Sequence, residues 1–404
     1  MAIRTLLALL LAHETSPFVQ RECANQYPLS NNLQSTEWKL QATSTTKITA
    51  GNIKQGDSLL RSIASIDPHP AIPVWPTWGG GKVTPVSFGD DLQDPFLLLA
   101  HHDHWFDPRD PLRGPFKAFG KALGLPYVDV EGFSMHPHRG FDIFTYILDG
   151  SDGFNHLDNL GGTSKLYRGG TCQWMRTGSG VMHEEFWETD PRRRTNIELF
   201  QLWVNLPSRQ KFDEPAIEYI GTNTSHPWIE IDIVDAETGA IKGSIRDITE
   251  TLNKATLASE DEERITSTIK PRPPLRILHI KLQPGGQWCC RVPSTESAIV
   301  YIRKGKATII SQSPGEEPVT VKQRNTATFS RDGDLIHIAN RGNTILDMVL
   351  LAAVPLREPL AAAGPIVMNS AEEVQMAYRQ LEEGTFLKRS YVLKQHREKG
   401  YWKA

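Results

Sequence analysis

Two short segments constrain this chain more than anything else in it. His136-Pro137-His138 and His183-Glu184-Glu185 each place metal-binding side chains two residues apart, and both sit among apolar residues and glycines. In a strand, residues i and i+2 project from one face, whereas in a helix they diverge. His136 and His138 therefore point together, and so do His183 and Glu185. Two such pairs facing each other inside a small β-structure would bring three imidazoles and one carboxylate to a point. A lone His-x-His is weak, because core and surface histidines are common. The second pair, on another predicted strand and outside any charged loop, raises the metal reading above coincidence.

The surroundings read as β throughout. With 31 glycines and 27 prolines, turns punctuate short β-like runs. Strands are expected at Val83 to Phe88, Phe96 to Ala100, Phe141 to Leu148, Leu199 to Pro207, and twice between Trp228 and Ile248. In the second half they are expected at Leu275 to Leu282, Ala298 to Ile302, Ala307 to Ser311, Thr326 to Phe329 and Ile345 to Ala353. Such spacing suits a barrel or sandwich rather than a βαβ sheet. Ser370, with Glu373 three residues on, predicts a capped helix to Leu381. Residues 115 to 125 suit a short helix or an excursion beside the site, and a lid is one role for it.

At 404 residues the chain is too long for one ordinary core. The expected division is an extension over 1–50, an N-terminal metal-binding domain over 51–250, and a charged, proline-rich linker or insertion over 251–274. A second domain over 275–404 ends in the helix and a basic tail. The opening Met1 to Ala12 reads either as a signal or organelle-targeting sequence or as part of a disordered extension. A charged fraction of 23% and a net charge of −3 describe an ordinary soluble globular protein and give no basic surface for nucleic acid. No apolar run approaches the roughly 20 residues that span a bilayer. The 4 cysteines include no C-x-x-C spacing, which argues against a disulfide framework and for a reducing compartment.

Other candidates read more blandly. His101, His102 and His104 have a spacing that cannot share one strand face, and a surface or rim loop accounts for them better than a second metal cluster. Cys172 reads as a strand residue, His337 as a lone histidine in an aliphatic strand, and Arg192 to Arg194 as a solvated loop. The main ligand set mixes nitrogen and oxygen without thiolate, which suits Fe(II), Mn, Ni, Cu or Zn.

The longer pattern is recognisable. His136-Pro137-His138-Arg139-Gly140-Phe141, Gln173-Trp174-Met175 and Gly178-x-Gly180-x-x-His183-x-Glu185 resemble the signature of the pirin family in the cupin superfamily. Leu202-Trp203-Val204-Asn205-Leu206-Pro207, Pro355 to Pro359 and Gly364-Pro365-x-Val367-Met368-Asn369 extend the likeness over Gly51 to Phe386. The resemblance implies an all-β bicupin, two β-barrel or jelly-roll domains with a few short helices. It implies one divalent metal ion, Fe(II) foremost, held in the N-terminal domain by His136, His138, His183 and Glu185, with the C-terminal domain metal-free. Glu184 would point away. Asp142 departs from the family, whose motif commonly carries Glu there, and the segment from His101 to Gly132 is longer than in compact pirins.

As activity, the resemblance implies a quercetin 2,3-dioxygenase-like enzyme taking a flavonol-like aromatic substrate and dioxygen, with Glu185 as base. The rival it implies is an iron-dependent redox-sensing regulator that binds transcription factors or other proteins without turnover. Family members are mostly cytoplasmic or nuclear.

Overall fold

A computed structural model describes residues 48–49 and 59–388, apart from 76–78, 124–130, 161–164, 222–223, 225–226, 228, 250–273 and 311–316. The possible targeting segment 1–12, Cys23, nearly all of the expected linker and the basic tail lie outside the described residues.

The fold grows from strand alternation. Phe96–Phe106, Phe141–Ile147, Thr171–Arg176 and Thr195–Asn205 belong to a seven-stranded sheet that runs from Ala216–Gly221 at one edge to Ile72–Pro73 at the other. A four-stranded sheet of Gly132–His138, Val181–Trp187, Phe154–Asp158 and Lys165–Tyr167 lies against it. Ile147, Ile197 and Leu199 of the larger sheet meet Phe154, Tyr167 and Trp187 of the smaller in one apolar cluster. This is the sandwich that carries both histidine pairs.

The second half builds the same arrangement. An eight-stranded sheet containing Leu275–Leu282, Ser297–Lys304, Asn325–Phe329 and Leu346–Ala353 packs on a four-stranded one. The two large sheets also face each other. Phe144, Tyr146, Phe200 and Leu202 from the first meet Ile277, Ile299, Tyr301 and Val349 from the second. Phe141–Ile147 is therefore covered on both faces, which is why all of its residues are buried. The expected all-β bicupin architecture is present, with α-helices described at Arg113–Ala122 and Ala371–Glu382. No described helix is long and apolar enough to cross a membrane.

The sheets do not divide at the expected domain border near residue 250. Ile229–Val234, Ile241–Asp247 and even Ile63–Pro68 hydrogen-bond into the eight-stranded sheet of the second half. Periodicity identifies a strand, but the edge it pairs with decides which sheet owns it.

The C-terminal arm crosses back in the other direction. After Ala361–Ala363 and Ile366–Met368, the capping box at Ser370 and Glu373 starts the expected helix. This arm docks on the His-Pro-His-Arg-Gly turn. The Val367 amide donates to the Arg139 carbonyl, and Arg139 donates to the carbonyls of Ser179 and Phe386 and to Gln380 Oε1. Gly140 has φ +88°, and a Cβ there would lie 1.9 Å from the Val367 carbonyl oxygen. Only glycine combines that conformation with so close an approach.

Candidate metal centre

Cross-strand register assembles the site. Gly132–His138 runs antiparallel to Val181–Trp187, setting His183 opposite His136 and Val181 opposite His138. On its other side, Val181–Trp187 pairs with Phe154–Asp158, setting Asp158 opposite His183 and His156 opposite Glu185. Directly opposed residues share a face. One face of the small sheet thus presents His136, His138, His183 and Glu185, and with them His156 and Asp158.

The structure brings His136, His138 and His183 together, with one potential ligand atom from each, all within 4.8 Å of one another. The His136 Nδ1–H donates to the Ser134 carbonyl at 2.8 Å, which assigns the lone pair to Nε2. His183 Nδ1 lies 3.0 Å from His156 Nε2, while His183 Nε2 is buried with no hydrogen-bond partner. Burial, reinforced by the neighbouring imidazoles, holds His138 and His183 well below the usual histidine pKa. They are neutral near pH 7, the form that binds a metal. Burial also pulls His156 down to about 4. Phe141 and Trp203 wall His138 at centroid distances of 5.4 and 5.5 Å.

Glu185 sits on the same strand face but outside the group of three. Its Oε2 accepts from Gln201 Nε2 at 3.3 Å, and its Oε1 is buried without a partner. Burial pushes its carboxyl up to about 8. Three orphaned buried atoms, His138 Nδ1, His183 Nε2 and Glu185 Oε1, beside the His136 imidazole fit a borderline divalent cation. The donor set does not select one among Fe, Mn, Ni, Cu and Zn.

The remaining sequence candidates resolve physically. His101, His102 and His104 do not form a rim loop: they are buried in the Phe96–Phe106 strand. That strand continues past Ala100 because Gly80–Ser87 and Thr195–Asn205 extend the ladder on both sides. His101 faces the second half, bonding Tyr301 and Glu198, whereas His102 and His104 face the other way and bond each other at 2.9 Å. Asp142 is fully buried against Arg176, and strand alternation sets it on the face opposite Phe141, which walls His138. Cys172 packs in its strand, and His337 bonds Gln287. The expected helix at 115–125 runs over Arg113–Ala122 and is tied through Arg113 and Lys117 to Glu131, next to the His136 strand.

Sequence reasoning missed His156, Asp158 and Gln201. The signal was available for two of them, since His156-x-Asp158 has the same strand spacing as the recognised pairs.

Comparison with known proteins agrees with this fold. The Pirin family model matches residues 91–204, and the model of the Pirin C-terminal cupin domain matches residues 277–387. A Pseudomonas aeruginosa protein provisionally named a quercetin 2,3-dioxygenase is 32% identical over 308 residues, covering 76% of this chain and 92% of its own length. Human Pirin is 29% identical over 250 residues, covering 61% of this chain and 74% of its own. A crystal structure of quercetin 2,3-dioxygenase from Acinetobacter baumannii superposes with a TM-score of 0.59 at 22% identity, covering 81% of this chain and 98% of that one, a likeness of fold.

Proposed function

The chain belongs to the pirin family, and from that premise we propose that it is a metal-dependent dioxygenase acting on flavonol-like aromatic substrates. The observation that carries the reading is the convergence of His136, His138 and His183 beside a buried, half-partnered Glu185. Relatives named as quercetin 2,3-dioxygenases support the substrate class.

A divalent ion bound by His136, His138 and His183, with Glu185 as fourth ligand, would supply Lewis acidity and a coordination site for substrate oxygen and dioxygen. The protein's own groups do the rest. Glu185 is the base for the flavonol 3-hydroxyl: Oε1, once released from the ion, takes that proton while Gln201 keeps hold of Oε2. Gln201 orients the carboxyl without neutralising it. Phe141 and Trp203 give the histidines an apolar wall that excludes water and suits a planar aromatic. Overall, flavonol and dioxygen become a ring-opened ester and carbon monoxide.

Aerobic incubation of the metal-loaded full chain with quercetin tests this. Loss of the flavonol absorbance with release of carbon monoxide is expected. Tight metal binding with neither change would overturn the dioxygenase reading and favour a protein-binding regulator.

A further inference from the structure

His156 and Asp158 do not belong to the ligand set, yet they stand directly behind it. His156 is fully buried, its Nε2 lies 3.0 Å from His183 Nδ1, and its Nδ1 lies 3.4 Å from Asp158 Oδ2. At that distance the Asp158 contact is a charge contact and not a formed hydrogen bond, and no described group hydrogen-bonds His156 Nδ1. Asp158 is fixed in turn, since its Oδ1 accepts the Leu160 amide at 2.6 Å. Each neutral imidazole has one N–H and one lone pair, so one end of such a chain dictates the other. A carboxylate facing Nδ1 repels a lone pair there and attracts a proton, so the favoured tautomer of His156 has its proton on Nδ1 and its lone pair on Nε2. His183 Nδ1 must then donate, and the lone pair of His183 falls on Nε2, the atom left buried without a partner.

We propose that Asp158 and His156 are positioning residues that fix the tautomer and ring orientation of His183, so that its Nε2 is presented to the metal. This rests on the reading of His183 as a ligand. Groups behind metal-binding histidines commonly change affinity by about 10- to 100-fold when removed. The reverse tautomer would put a proton on His183 Nε2 and close that position to the ion.

The test uses the full chain loaded with Co(II), measuring affinity and the visible ligand-field spectrum, with thermal unfolding of the metal-free protein as a control on folding. Asp158→Asn keeps the acceptor for the Leu160 amide but turns an N–H donor toward His156, favouring the wrong tautomer. It is expected to weaken Co(II) binding by about 10- to 100-fold and to shift the spectrum. His156→Leu should do the same. His156→Gln, which can offer an oxygen where Nε2 lies, should recover most of the affinity. Should His156→Leu not fold, Asp158→Asn decides alone. Wild-type affinity and spectrum in Asp158→Asn, with binding lost in His183→Ala, would overturn the positioning role and leave the ligand assignment standing. Wild-type binding in His183→Ala would instead overturn the ligand assignment itself, and the proposal with it.

Discussion

Gln201 Nε2 donates to Glu185 Oε2 at 3.3 Å from a strand of the opposite sheet, fixing a carboxyl whose other oxygen, Oε1, is buried without a partner. Burial makes Glu185 expensive to ionise before any cation is present, and the Gln201 hydrogen bond offsets only part of that cost. Its folded-state pKa, about 8, exceeds its ordinary value of 4.5. The sign follows directly. Between those values the unfolded chain releases a proton that the folded chain keeps, so metal-free stability falls as pH rises through that window.

Glu185→Gln removes the titration while keeping shape and a hydrogen bond to Gln201. The metal-free variant should therefore be more stable than wild type at pH 8, by an amount on the order of 2–4 kcal/mol, with the gap closing toward pH 4. Calorimetry of both proteins across pH 4–8 measures it. A constant gap would place the pH dependence elsewhere.

Asp142 and Arg176 form a fully buried pair on adjacent strands, with Arg176 Nε 3.2 Å from Asp142 Oδ1. Removing one partner strands a buried charge. Asp142→Ala should cost about 3–5 kcal/mol of stability. Metal content of the folded fraction should be unchanged, because strand alternation sets Asp142 on the face opposite Phe141, away from the histidine side. Denaturant unfolding together with metal analysis tests both halves, and a selective loss of metal would return Asp142 to the site.

The C-terminal arm depends on Arg139, whose guanidinium serves three acceptors and lies 4.2 Å from the Phe386 ring centroid. Arg139→Ala leaves buried carbonyls unpaired and should cost about 2–4 kcal/mol. Hydrogen exchange should then accelerate selectively over residues 361–387. Uniform acceleration throughout the chain would show that the arm is not a separate docking unit.

Much of this was legible from pattern. Leu275–Leu282 has the bounds its aliphatic run predicts, and the Ser370 capping box opens the helix it announces. The two His-x-acceptor pairs lie on the paired strands their spacing implies. Pairing was not legible. Nothing in Ile229–Val234 states that its edge belongs to the second half, and nothing in His101-His102-Asp103-His104 states that neighbouring strands extend past Ala100. His156-x-Asp158 has a legible spacing, but its contact with His183 is set by register across two strands.

The central claim is that His136, His138 and His183 hold one metal ion. Its most direct test is metal analysis of the full chain, purified without added metal and again after loading, beside His136→Ala, His138→Ala and His183→Ala. The account predicts about one tightly held divalent ion per wild-type chain and loss of it in each folded variant. A wild-type chain that binds none even after loading, or a His183→Ala chain that keeps a full equivalent, would contradict it.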